Sequence, residues 1–114
     1  MRKSRSRVQA RRQAHAPVFA ALGDETRLAL VAKLCGGQPR SISQLTRGSK
    51  LTRQAITKHL RVLERAQIVR SVRAGRESLF EYDPKPIEDI KTYLDFVSEQ
   101  WDQVLSRLKA FVEG

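Results

Sequence analysis

Cysteine is nearly absent from this chain: Cys35 is the single thiol in 114 residues. One thiol excludes an intrachain disulfide and any thiolate-rich zinc site within one chain. Aromatic residues are scarce too, with one Trp, two Tyr and four Phe, so a thin core is expected, one that self-association would help. No apolar run approaches the roughly 18 residues needed to cross a bilayer. The basic N-terminus also lacks the apolar stretch of a signal peptide, so a soluble, cytoplasmic protein with no membrane partner is expected. The length leaves room for one small domain. It contains no phosphate loop and no His, Cys or Ser paired with an acid at motif spacing. Neither catalysis, a cofactor nor a metal site is therefore expected.

Acidic residues are the other shortage, and their placement is uneven. Twelve Asp and Glu face 22 Lys and Arg, for a formal charge of +10 and a pI near 10.7. Residues 1–16 hold Arg2, Lys3, Arg5, Arg7, Arg11 and Arg12, no acid and no apolar periodicity. They read as a basic disordered arm, either a solvated tail or one that touches nucleic acid. Residues 40–76 carry ten basic side chains against Glu64 alone, a balance of +9, whereas residues 84–114 carry four bases and six acids. Such segregation points one part of the chain at a polyanion and another at protein or solvent.

The local signals divide residues 17–83 into short helices and a hairpin. Pro17 opens the apolar stretch Val18–Leu22, which ends at Gly23. Asp24 is a good N-cap for a helix whose apolar set Leu28, Val31, Ala32 and Cys35 is expected to pack inward, until Gly36-Gly37 stops it. Ser41 and Gln44 have capping-box spacing and open a short helix through about Thr46. After the turn Gly48-Ser49-Lys50, Thr52 caps the next helix, with Leu51 and Ile56 at hydrophobic-staple positions.

That helix carries the first functional argument. Ile56, Leu60 and Leu63 form one face, and Arg53, Gln54, Thr57, Lys58 and Arg61 lie opposite. Two short helices joined by a glycine-containing turn, the second with this outward face, make a helix-turn-helix suited to the major groove. Arg can donate two bonds to guanine, Gln can pair with adenine, Thr offers a methyl and a hydroxyl, and Lys suits phosphates. An ordinary solvated helix face is the plain alternative. His59, beside the apolar stripe, is expected to pack or touch phosphate rather than bind metal. The runs Ile68–Arg73 and Ser78–Tyr82 flank Ala74-Gly75-Arg76-Glu77, a hairpin signal with Arg73 and Arg76 at the tip. A hairpin after a helix-turn-helix is a wing, and tip arginines reach the backbone or the minor groove.

Beyond Asp83-Pro84-Lys85-Pro86 a final helix is expected, with Pro86 in its first turn, Glu88 and Asp89 early and Arg107 and Lys109 late. Ile87, Ile90, Leu94, Val97, Trp101, Val104, Leu108 and Phe111 step alternately by three and four residues, a heptad seam. A helix this long exceeds what a domain of roughly 70 residues can cover, so pairing with a second copy is expected.

These residues resemble the ArsR/SmtB winged helix-turn-helix transcriptional repressors of bacteria. The likeness runs through "LGDETRLALV", "LTRQAITKHLRVLERAQIV" and "RAGRESLFEY" and extends more loosely to the final helix. It implies a mostly α fold with a small β-hairpin: a winged helix-turn-helix domain over residues 17–83, with dimerisation helices at the N- and C-terminal ends, the latter over 84–114. It also implies a homodimer that binds double-stranded DNA at an inverted-repeat operator, with recognition helix 52–65 and wing 69–82. The DNA-facing residues would be Arg40, Ser41, Thr52, Arg53, Gln54, Thr57, Lys58, Arg61, Arg73 and Arg76. Dimerisation would fall to Phe19, Ile90, Leu94, Val97, Trp101, Val104, Leu108 and Phe111.

The departures from the family matter as much. Metal-sensing members read Cys-Val-Cys-Asp-Leu where this chain has Ser41-Ile42-Ser43-Gln44-Leu45, and the other common metal site needs histidines that residues 86–114 do not contain. Redox-sensing members use a cysteine pair. Gln67 stands where a glycine usually closes the recognition helix, so a left-handed conformation there is expected to cost roughly 1 to 2 kcal/mol. No residue pattern names an effector. A nonspecific architectural DNA- or RNA-binding protein, or a regulator whose last helix binds a different protein, are the alternatives.

Overall fold

The computed structural model describes residues 2–113. In chain order these form α1 (Arg2–Leu22), α2 (Glu25–Leu34), β1 (Arg40–Ser41), α3 (Ile42–Thr46), α4 (Arg53–Arg65), β2 (Val69–Ala74), β3 (Glu77–Tyr82) and α5 (Pro84–Glu113). The architecture is mostly helical with a three-stranded antiparallel sheet in the order β1-β3-β2. β1 escaped the sequence because two residues carry no periodicity. It extends the hairpin by pairing Arg40 with Phe80 and Ser41 with Leu79.

The caps expected from the sequence are present. The Asp24 carboxylate accepts the Arg27 backbone N–H at 3.0 Å. Ser41 and Gln44 exchange both capping-box bonds, at 3.1 and 2.9 Å, and the Thr52 hydroxyl accepts from the Ala55 N–H. Each satisfies a donor that a helix start leaves without an intrahelical partner. At the start of α5, Asp83 accepts from the Lys85 N–H, and Pro84 and Pro86 both lie in the first turn.

Two expectations fail. Residues 2–16, read as a disordered arm over 1–16, continue α1 as helix, while Met1 lies outside the described residues. Docking supplies what local sequence lacks. The Arg11 guanidinium lies 4.2 Å from the Phe96 ring centroid and 5.9 Å from that of Tyr93, and the His15 ring packs at a tilt of 40° on Tyr93, with centroids 4.9 Å apart. Such contacts hold a helix that has no acid of its own to pair with its bases. The second failure is the phase of α2. Leu28, Ala32 and Cys35 face outward, and Leu30, Val31 and Leu34 are the buried set. α2 carries leucines on two faces, and the packing of α4 and β3 against it selects the second.

The core joins all of these elements. Leu34, Leu45, Leu60, Leu63 and Ile68 are wholly buried, and Val69 and Phe80 nearly so, each contributing roughly 1.5 to 3 kcal/mol of transfer free energy. Between α4 and β2 the chain reverses over Ala66, Gln67 and Ile68. Gln67 has φ 64°, its N–H bonds the Glu64 carbonyl, and the Ile68 N–H bonds the Leu63 carbonyl. This is a Schellman closure, sealed by buried Ile68 and Leu63. Gln67 thus keeps the left-handed conformation, without glycine, for which the strain was expected.

Candidate nucleic-acid interface

Helix α4 has one buried face and one open one. Ile56, Leu60 and Leu63 are buried, which turns Arg53, Gln54 and Lys58 to solvent, with Thr57 half-exposed beside them. Ile42, Arg53, Gln54, Thr57 and Lys58 together line a shallow groove at the start of α4. Among the described residues Arg53 and Lys58 make no ion pair, so their charges are available to an incoming anion. The Thr57 hydroxyl donates to the Arg53 carbonyl at 2.7 Å, which leaves its methyl and its lone pairs for a partner.

The hairpin ends beside this face. β2 and β3 pair in register from Val69–Tyr82 to Ala74–Glu77, leaving Gly75 and Arg76 as a two-residue turn. Gly75 has φ 63°, as a II′ turn requires at its first central residue. Arg73 and Arg76 are exposed at the tip. Arg70, nearer the base, is already engaged by Glu81 at 2.6 Å and Asp83 at 3.6 Å.

Three sequence-selected residues are less free than expected. The Ser41 side chain is buried, its hydroxyl spent on capping α3. Arg40 is half-buried, and its Nε has no hydrogen-bond partner. Arg61 is exposed, but its Nη1 donates to Glu64 Oε1 at 2.8 Å and its guanidinium sits 5.9 Å from the Phe80 ring centroid. The second Glu64 oxygen accepts from the Ser71 hydroxyl at 2.7 Å. The Ser71 and Arg61 bonds hold the Glu64 carboxyl below its ordinary pKa of 4.5. The Arg61–Glu64 spacing was readable as a helical i,i+3 pair; Ser71 entered only through the fold.

His59 lies on the other side of α4. Its Nδ1 is 3.2 Å from Arg27 Nη1 and 3.8 Å from Asp24, while Arg27 Nε donates to the Ala21 carbonyl at the end of α1. This cluster pins α4 to α2 and α1. Among the described residues no group of three or more His, Cys, Asp or Glu is arranged to hold a metal ion. No described helix is long and apolar enough to cross a membrane.

The residues expected to mediate self-association divide along α5. Ile90 is buried inside the protomer, Phe19 packs on Tyr93 of the same chain, and Val97 is half-buried. Leu94, Trp101, Val104, Leu108 and Phe111 are exposed, together with Leu105 and Val112.

A helix-turn-helix followed by a hairpin, with basic side chains on the second helix and on the hairpin tip, defines a winged helix-turn-helix DNA-binding domain. Comparison with known proteins agrees. A helix-turn-helix domain family matches residues 22–72. The HTH-type transcriptional regulator Rv2034 of Mycobacterium tuberculosis is 36% identical over 75 residues, 66% of this chain and 69% of its own. YuzN of Bacillus subtilis, an uncharacterized HTH-type transcriptional regulator, is 34% identical over 79 residues, 64% of this chain and 86% of its own. Among solved structures, an ArsR-like transcriptional regulator from Rhodococcus sp. RHA1 superposes with a TM-score of 0.76 at 34% identity, over 87% of this chain and 92% of that one. The chain belongs to the ArsR family of winged helix-turn-helix transcriptional regulators.

Proposed function

We propose that this regulator is a homodimeric repressor that reads an inverted-repeat operator, with one α4 per protomer in the major groove and the hairpin tip on the flanking backbone or minor groove. The observation that carries the reading is the open face of α4. Arg53, Gln54, Thr57 and Lys58 project from a helix whose opposite face is locked into the core, so base-reading groups are presented on a rigid support. Thr52, Arg61, Arg73 and Arg76 complete the DNA-facing set, with Arg40 and Ser41 behind it. The apolar row Leu94, Trp101, Val104, Leu108 and Phe111, open along one side of α5, supports pairing with a second copy. Ser41 and Ser43 provide hydroxyls rather than thiolates at the start of α3, which supports regulation without a metal.

Selection of bound duplexes from a random pool at about 150 mM salt, with the solution mass measured alongside, tests the reading. A palindromic motif with half-sites about one helical turn apart and a dimeric mass are the expected results. Binding without an enriched motif, lost steeply as salt rises, would overturn it in favour of nonspecific backbone contact. On the selected duplex, Arg53→Ala is expected to cost about 1 to 3 kcal/mol and relax the preference at one position, whereas Lys58→Ala weakens all sequences about equally.

A further inference from the structure

We propose that Glu64 is a positioning residue for DNA recognition: it holds Arg61 and the wing strand β2 in fixed relation to α4, so that helix and hairpin meet the duplex as one body. The inference rests on the DNA-binding reading above. Glu64 is the sole acid among residues 40–76. A carboxylate in that segment opposes the phosphates it faces, so by charge alone it weakens binding.

Its geometry supplies the reason for its presence. One oxygen takes Arg61 Nη1 at 2.8 Å and the other takes the Ser71 hydroxyl at 2.7 Å, so a single side chain ties α4 to both a cation and the wing. Arg61 has five N–H donors, and the Glu64 bond occupies one of them. With its guanidinium steadied by a carboxylate and lying near the Phe80 ring, at 5.9 Å to the centroid, the remaining donors are pre-oriented for a phosphate and lose less freedom on engaging it. Ser71 stands opposite Phe80 in the hairpin register, on the strand that leaves α4 through the Gln67 reversal. The backbone and the shared core already join helix to wing, and Glu64 adds a hydrogen-bonded tie at their exposed edge.

The test compares the duplex that the wild-type protein selects from a random pool with a scrambled duplex of the same length. Glu64→Ala is expected to weaken the selected duplex about tenfold, within the range of coupled interface residues, while scrambled binding holds or tightens. Glu64→Gln makes the same change in charge but keeps an acceptor for Ser71, and is expected to lose less. Ser71→Ala leaves every charge in place and is expected to lose a few-fold on the selected duplex only. It also carries the test if Glu64→Ala does not fold. The penalty of Arg76→Ala should shrink in the Glu64→Ala or Ser71→Ala background, because an unaimed wing contributes less. Equal tightening on both duplexes by the two Glu64 variants, with an unaltered Arg76→Ala penalty, would mean that Glu64 is only a misplaced charge and would overturn the proposal. A wild-type protein that prefers no duplex would overturn the underlying reading instead, a result visible before any variant is made.

Discussion

Phe80 and Phe111 are the same side chain in opposite circumstances. Phe80, in the central strand, has 1% of its surface exposed; Phe111, near the end of α5, has 84%. Leucines divide in the same way, with Leu60 and Leu63 wholly buried and Leu105 and Leu108 more than half exposed. The winged region closes on itself through a core drawn from α1, α2, α3, α4, both hairpin strands and the start of α5. The distal half of α5 extends past that region, in a molecule 66 Å long and 30 Å across. Burial thus closes the winged region within the chain and leaves the last helix with a row of exposed apolar side chains, the surface assigned above to the proposed dimer.

Phe80→Ala has the largest expected effect. Removing a fully buried aromatic from the closed region is expected to cost about 3 to 5 kcal/mol, read from the midpoint of denaturant unfolding; a loss below about 1 kcal/mol would show that this region is less tightly packed than described. Trp101→Ala addresses the open end. On the proposed dimer it is expected to raise the dissociation constant at least tenfold, or about 1.4 kcal/mol, while the helical signal persists. A sedimentation profile like that of wild type would remove Trp101 from the dimer contact.

Smaller effects sharpen the account of the closed region. Gln67→Gly keeps the reversal at φ 64° without a side chain and is expected to add about 1 kcal/mol of stability; a loss would place the Gln67 side chain in a contact worth more than the strain. Acid reports the smallest contribution. The Arg27 backbone N–H lowers the Asp24 pKa from its ordinary 3.8, as the Ser71 and Arg61 bonds do for Glu64 from 4.5. A carboxylate with a depressed folded-state pKa contributes stability that is present above its unfolded value and is lost as pH falls through the folded one. Stability should therefore be flat near neutrality with respect to these two groups and decline below about pH 4.5. Asp24→Asn, which keeps a capping side chain, should make that decline shallower.

Local chemistry was the most legible part of the sequence. Asp24, Ser41 with Gln44, and Thr52 announce helix starts because a cap is decided within four residues, and Gly75 announces its turn for the same reason. The strain at Gln67 was readable because the resemblance marked a glycine position. What failed depended on distant partners. α2 has leucines on two faces, and nothing within it selects Leu30 and Leu34 over Leu28. Arg11 and His15 of α1 dock on Tyr93 and Phe96, some eighty residues away, and β1 exists only because β3 is there to pair with it. In the interface, the outward set Arg53, Gln54 and Lys58 followed from helical phase alone. The Arg61–Glu64 pair was legible as an i,i+3 spacing, whereas the bond from Ser71 to Glu64 required the hairpin to be folded back on α4.

The direct junction of α4 to the hairpin makes the wing a gauge of length. Each strand has six residues, and at roughly 3.3 Å per residue the tip stands about 20 Å from the hairpin base. Measured along a duplex that rises about 3.4 Å per base pair, this is close to six base pairs. On the proposed mode of binding, the footprint of a half-site is written in the number of hairpin residues as much as in any side chain. A residue pair added at the tip lengthens both strands by one and leaves the register nearer the base unchanged, so related regulators with longer wings should reach outward by about one base pair for each added pair.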